Sequence, residues 1–111
     1  MDLLREYAHH WLRRTALTLG HPNWLPLSRL LITQIERGRP GFADQLRQAA
    51  LDALEGDDPG LQHRAVAALA VVGTPADIPS LRRAGRRAGA PLEQYARTAI
   101  FEIEQSTASP N

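Results

Sequence analysis

The chain has 111 residues, 43% of them hydrophobic and 23% charged, which is the size and make-up of one soluble globular domain. It has no cysteine, which excludes disulfides, thiolate catalysis and cysteine-ligated zinc and points to a reducing compartment. The formal net charge of +1 is too near neutral to mark a nucleic-acid binder by charge alone, although all thirteen basic residues are arginine.

Aromatic residues make up only 5% of the chain, so the core must be mainly leucine, alanine, isoleucine and valine. Alanines beside leucines suit closely spaced helices, and no segment alternates long enough for a strand. The first expected helix starts at the cap Asp2 and ends by Gly20. Leu3, Leu4, Tyr7, Ala8, Trp11 and Leu12 fall on one side of it. Charges interrupt its apolar residues, unlike the order of a signal peptide, and no apolar run approaches the length of a membrane span. The expected location is cytoplasmic. His21-Pro22-Asn23 reads as a loop. "WLPLSRLLITQIERG" predicts a second helix with Leu27, Leu30, Leu31 and Ile35 inward, ending at Gly38.

"FADQLRQAALDALEG" predicts a third helix with Leu46, Ala49, Ala50, Ala53 and Leu54 inward, ending at Gly56. After the turn Asp57-Asp58-Pro59-Gly60, a fourth helix carries Leu61, Ala65, Ala68, Leu69 and Val72. Gly73 is expected to stop it in a left-handed turn. The fifth runs from about Asp77 to Ala88, with Pro79 in its first turn, where a missing N–H matters little. The sixth starts near Pro91 and carries Leu92, Ala96, Ala99, Ile100 and Ile103. "STASPN", residues 106–111, is expected to be a flexible tail, leaving residues 1–105 as a single domain.

Short links join these six helices into three expected antiparallel pairs. A shift of 31 residues lays the fourth helix on the sixth: Leu61 on Leu92, Ala65 on Ala96, Ala68 on Ala99, Leu69 on Ile100 and Val72 on Ile103. The stretch "DDPGLQHRAVAALAVVGTPADIPSLRRA" resembles a HEAT-like repeat of the bacterial PBS-lyase type. Its Asp58-Pro59 turn, Ala68-Leu69 helix end, Gly73-Thr74-Pro75 turn and Ile78-Pro79-Ser80-Leu81 helix start carry the resemblance. Gln62 and His63 stand where that pattern has an arginine. The resemblance covers about a quarter of the chain. It implies an all-α fold, a short right-handed α-solenoid of about three antiparallel helix pairs. It also implies a concave surface, lined by each pair's second helix, that usually binds protein, in a minority nucleic acid, and in a few relatives acts as a lyase or glycosylase.

On a wheel of about 100° per residue, Ile78, Leu81, Ala84, Gly85 and Ala88 of the fifth helix share one side. Arg82, Arg83, Arg86 and Arg87 lie almost opposite, with no acid among them. They form the expected partner-binding surface, and a protein with an acidic surface is the expected partner. Acids of the third helix, Asp44, Asp52 and Glu55, are the alternative, as an ion-pair network with the arginines.

Asp57 and Asp58 suit a turn and a cap better than a cation loop, whose alternating carboxylates are missing. His9 and His10 are adjacent, so they point apart on a helix, and His21 and His63 have no partner visible in the sequence. Trp11 and Trp24 read as core or end-cap residues, with Trp24 a contact anchor if exposed. No nucleophile motif, phosphate loop or catalytic carboxylate pair stands out, so no enzymatic activity, cofactor or metal is expected. The expected role is a non-catalytic protein-binding module: an adaptor, a regulator or an inhibitor such as a toxin-neutralising immunity protein. Nucleic-acid binding by the same arginines, and a lyase or glycosylase, are the alternatives.

Overall fold

The computed structural model describes residues 3–14 and 24–108, with the backbone alone at positions 24, 107 and 108. The expectations for Asp2, Gly20, the His21-Pro22-Asn23 loop and the exposure of Trp24 fall outside the described residues. Six α-helices make up nearly all of the rest: α1 Leu3–Arg14, α2 Trp24–Gly38, α3 Phe42–Leu54, α4 Pro59–Val72, α5 Ile78–Ala88 and α6 Leu92–Ala108. A 3₁₀ turn, Pro75–Asp77, leads into α5, and no strand occurs among the described residues. The last helix runs through Ala108, three residues into the segment read as a tail.

The fourth helix is the centre. Its run Ala65, Val66, Ala67, Ala68, Leu69, Ala70 is buried throughout, as expected for a helix apolar on every side. It is surrounded by α1, α2, α3 and α6. Asp58 caps it by accepting the Gly60 and Leu61 N–H groups at 3.0 and 3.2 Å. Gly73 ends it, but with an extended backbone (φ −69°) rather than the left-handed turn expected. Glycine is needed there for space: a Cβ would lie 2.4 Å from the Leu69 carbonyl oxygen and 2.8 Å from Ile103.

Two of the three expected pairs form among the described residues. α3 packs on α4, and α5 on α6, as two helical hairpins that meet through α4 and α6. Among the described residues, α1 packs on α3 and α4, and α2 packs on the same two helices, with at most slight contact between α1 and α2. α4 and α5 make at most glancing contact: α5 turns its apolar stripe to α6, and α6 also packs on α4.

Phe42 anchors α1 to α3. It is fully buried and meets Tyr7 and Trp11 edge-to-face, with centroids at 5.6 and 5.5 Å. Arg39 lies over the Tyr7 ring at 4.2 Å. Glu36 closes the turn between α2 and α3 by accepting the N–H groups of Gly41 and Ala43, both at 2.8 Å. Those two bonds hold its carboxyl below the usual range.

The second helix corrects the wheel. Leu27, Leu30 and Leu31, expected inward, are 52%, 54% and 44% exposed. Ser28 and Ile32 are buried instead, flanked by Leu25 and Ile35. Leu3, also placed inward by the pattern, is exposed on α1. Two adjacent apolar stripes run along α2, and its partners α3 and α4 cover only one. Leu30→Ala should therefore change stability by no more than about 0.5 kcal/mol. Ile32→Ala should cost about 2–5 kcal/mol. Denaturant titration of the two variants checks the assignment; equal losses would contradict it.

Candidate functional site

The fifth helix is held by its own N-terminus. Asp77 is 2% exposed, and the Arg47 fork from α3 grips its two carboxylate oxygens at 2.7 Å each. The same carboxylate accepts the Thr74 N–H at 2.8 Å and its hydroxyl at 3.3 Å, bracing the turn before α5. Burial pushes the Asp77 carboxyl up, but the Arg47 fork and the Thr74 N–H outweigh it and hold it below the usual range. Leu81, Ala84 and Gly85 form the buried stripe, Ile78 is half-buried, and Ala88, expected inward, is exposed. Gly85 lets α5 close on α6, since a Cβ there would sit 3.1 Å from the Glu93 Cα.

All four arginines are exposed on the opposite face, but they do not act as one group. Arg87 bends back to cap α3: its guanidinium donates to the Leu54 carbonyl and, at 3.3 Å, to that of Gly56. Gln62 donates to the Gly56 carbonyl at 2.7 Å, so the end of α3 is braced from two helices. Arg83 stands 4.0 Å from Glu55 and 3.4 Å from the Ser80 hydroxyl. Both members of that pair are about two-thirds exposed, so it contributes little. The third helix's acids thus reach one arginine, weakly.

Arg82 and Arg86 have no hydrogen-bond or ion-pair partner among the described residues. Together they form one wall of a groove of about 310 Å³ between α5 and α6. Leu81, Gly85, Ala96 and Ile100 line its floor. Phe101, 55% exposed, stands on the far wall with Glu104 and with Arg97, which reaches Glu93 at 3.7 Å. Phe101 escaped the sequence reading, which followed only the inward residues of the sixth helix. An aromatic residue on the polar side of that same wheel was the available signal.

Searched against known proteins, the chain matches no family model, no curated sequence and no solved structure.

A second concavity, about 560 Å³, lies where the N-terminus of α4 meets the α5–α6 turn. His63 stacks on Tyr95 there, with centroids 4.6 Å apart and planes 11° apart. The His63 Nε2 is buried without a hydrogen-bond partner among the described residues. Burial, and then the nearby Arg64 charge, lower its pKa from the ordinary 6.5. Folding therefore favours the neutral ring, and the unfolded chain binds the proton more readily. Stability is full above about pH 6.5 and should fall as pH drops through that value toward the lower folded pKa. Melting temperatures between pH 7.5 and 5 should show the decline, and His63→Gln should flatten it; an unchanged slope in the variant would contradict the assignment.

Trp11 packs on Phe42, and His9 stands 3.9 Å from Asp52 while His10 is exposed. Asp57 lines the second concavity and Asp58 is a cap. No group of three potential metal-ligating side chains occurs among the described residues, and no helix there is long and apolar enough to cross a membrane.

Proposed function

We propose a non-catalytic protein-binding module that presents Arg82 and Arg86 to an acidic surface of one partner. The observation that carries this reading is their lack of an ion-pair partner among the described residues, beside an exposed Phe101. An arginine on a helix face can pair with an acid one turn away. Here Arg83 and Arg87 have engagements within the chain, whereas Arg82 and Arg86 keep both forks open to bidentate contact with carboxylates. Aromatic residues and arginine are both enriched at protein interfaces relative to the rest of the surface. Among the roles open to such a module are adaptor, regulator and inhibitor, including toxin neutralisation, in a reducing cytoplasm.

The same reading treats the helices as a short HEAT-like array. The internal repeat supports it: Ala65, Ala68 and Leu69 in α4, and their counterparts Ala96, Ala99 and Ile100 in α6, are all buried, and the two helices pack on each other.

Comparative affinity capture tests the function. Extract of the source cell, with and without nuclease treatment, is passed over wild type and R82Q/R86Q, and the retained proteins are identified by mass spectrometry. An acidic protein held by wild type and lost from the variant is the expected result. Identical lists from the two would contradict the proposal. Binding that vanishes with nuclease and falls steeply with salt would shift the assignment to nucleic acid.

A further inference from the structure

We infer that the α5–α6 groove takes a short amphipathic helix from the partner, with acidic residues along one edge and an apolar residue set against Phe101. The inference rests on the reading above and adds the occupant's shape and pattern. Its first support is the groove itself. Two neighbouring helices in contact leave a furrow that a third helix fills, as ridges enter grooves. The floor is apolar but already buried where Gly85 and Ala96 let α5 close on α6, so the exposed apolar surface of the groove is chiefly that of Phe101 at one end. The hairpin edge offers no strand to extend, since no strand occurs among the described residues.

Charge sets the orientation. Arg82 and Arg86 are one helical turn apart, about 6 Å, the spacing of a glutamate pair at i and i+4 on a helix laid alongside. The opposite wall is mixed in charge, with Glu104 beside the Arg97–Glu93 pair, so the α5 edge is the only uniformly basic edge of the groove and is the one that selects acid. The 11 residues of α5 span about 16 Å, so the contact covers about three turns.

Selection from a displayed library of random 16-residue peptides tests this without knowledge of the partner. The full chain is the bait, and enriched peptides are synthesised and titrated against wild type, R82E/R86E and Phe101→Ala. Each variant's melting temperature is recorded, and Phe101→Ser replaces Phe101→Ala if that variant is unstable. Enriched peptides should carry acidic pairs at i, i+4 with apolar residues between them and gain helical circular dichroism on binding. They should bind roughly tenfold or more weakly to either variant. Acidic peptides that lose R82E/R86E but ignore Phe101, or that stay unstructured, would overturn the groove while leaving the arginine surface standing. Enrichment of basic or purely apolar peptides, or none, would overturn the groove, and peptides insensitive to R82E/R86E would count against the arginine surface as well.

Discussion

Asp77→Ala should destabilise the protein by about 3 kcal/mol or more, a large part of the roughly 5–15 kcal/mol that holds a domain of this size. The carboxylate is buried, receives both arms of Arg47 at 2.7 Å and satisfies the Thr74 N–H. Removing it strands the guanidinium of Arg47, whose side chain is only 22% exposed, against the core of α3 and the turn before α5. Such losses run to about 3–5 kcal/mol, and the residual exposure of Arg47 places this one at the lower end. Asp77→Asn keeps the shape and should lose less. The pair also has a pH signature. A carboxyl held below its ordinary value of 3.8 contributes stability that is full above that value. The contribution is lost as pH falls below about 4 and through the folded pKa. Acid titration of wild type against Asp77→Asn, followed by circular dichroism, should show a steeper loss in wild type; parallel curves would contradict the assignment.

Leu69→Ala should cost about 2–5 kcal/mol. Leu69 is fully buried near the C-terminal end of α4, the helix that contacts α1, α2, α3 and α6. Two restraints on α4 limit how far the void can collapse. The Leu69 carbonyl accepts the Gly73 N–H at 2.8 Å, and Gly73 has no room even for a Cβ beside Leu69 and Ile103. A site that cannot relax keeps its cavity, so the loss belongs to the upper half of that range. An unchanged denaturation midpoint would show that α4 is not the centre of the core.

Much of this architecture was legible because α4 is apolar on every side and α3, α5 and α6 each carry one clear stripe. α2 was misread for a reason built into the code. A helix with leucines at 27, 30 and 31 and isoleucines at 32 and 35 has two usable stripes, and only the position of α3 and α4 decides between them. Ser28, polar yet buried, is the mark of that choice. Gly73 was assigned the right importance with the wrong cause, since close approach and left-handed backbone both call for glycine. The Arg47–Asp77 pair spans 30 residues, and periodicity carries no sign of it. Only the Thr74-x-x-Asp77 spacing hinted at a cap.

The arginine face was visible on the wheel as four equivalent side chains, and its division was not. Arg87 reaches carbonyls 31 and 33 residues away, so replacing all four arginines does more than remove surface charge. Arg87→Gln withdraws a charged donor from the end of α3 and should lower stability, on the order of 1 kcal/mol. Replacing Arg82 and Arg86 removes only surface charge, whereas replacing Arg87 also removes a brace of the α3 end.

That division makes the central claim directly measurable. The captured partner is titrated calorimetrically against wild type, R82Q/R86Q and R83Q/R87Q, with the melting temperature of each variant recorded alongside. R82Q/R86Q is predicted to keep the wild-type melting temperature and to bind roughly tenfold or more weakly, because both unpaired forks are gone and the fold is untouched. R83Q/R87Q is predicted to melt earlier while retaining most of the affinity. Wild-type affinity in R82Q/R86Q would contradict the account and return that face of α5 to plain solvated surface.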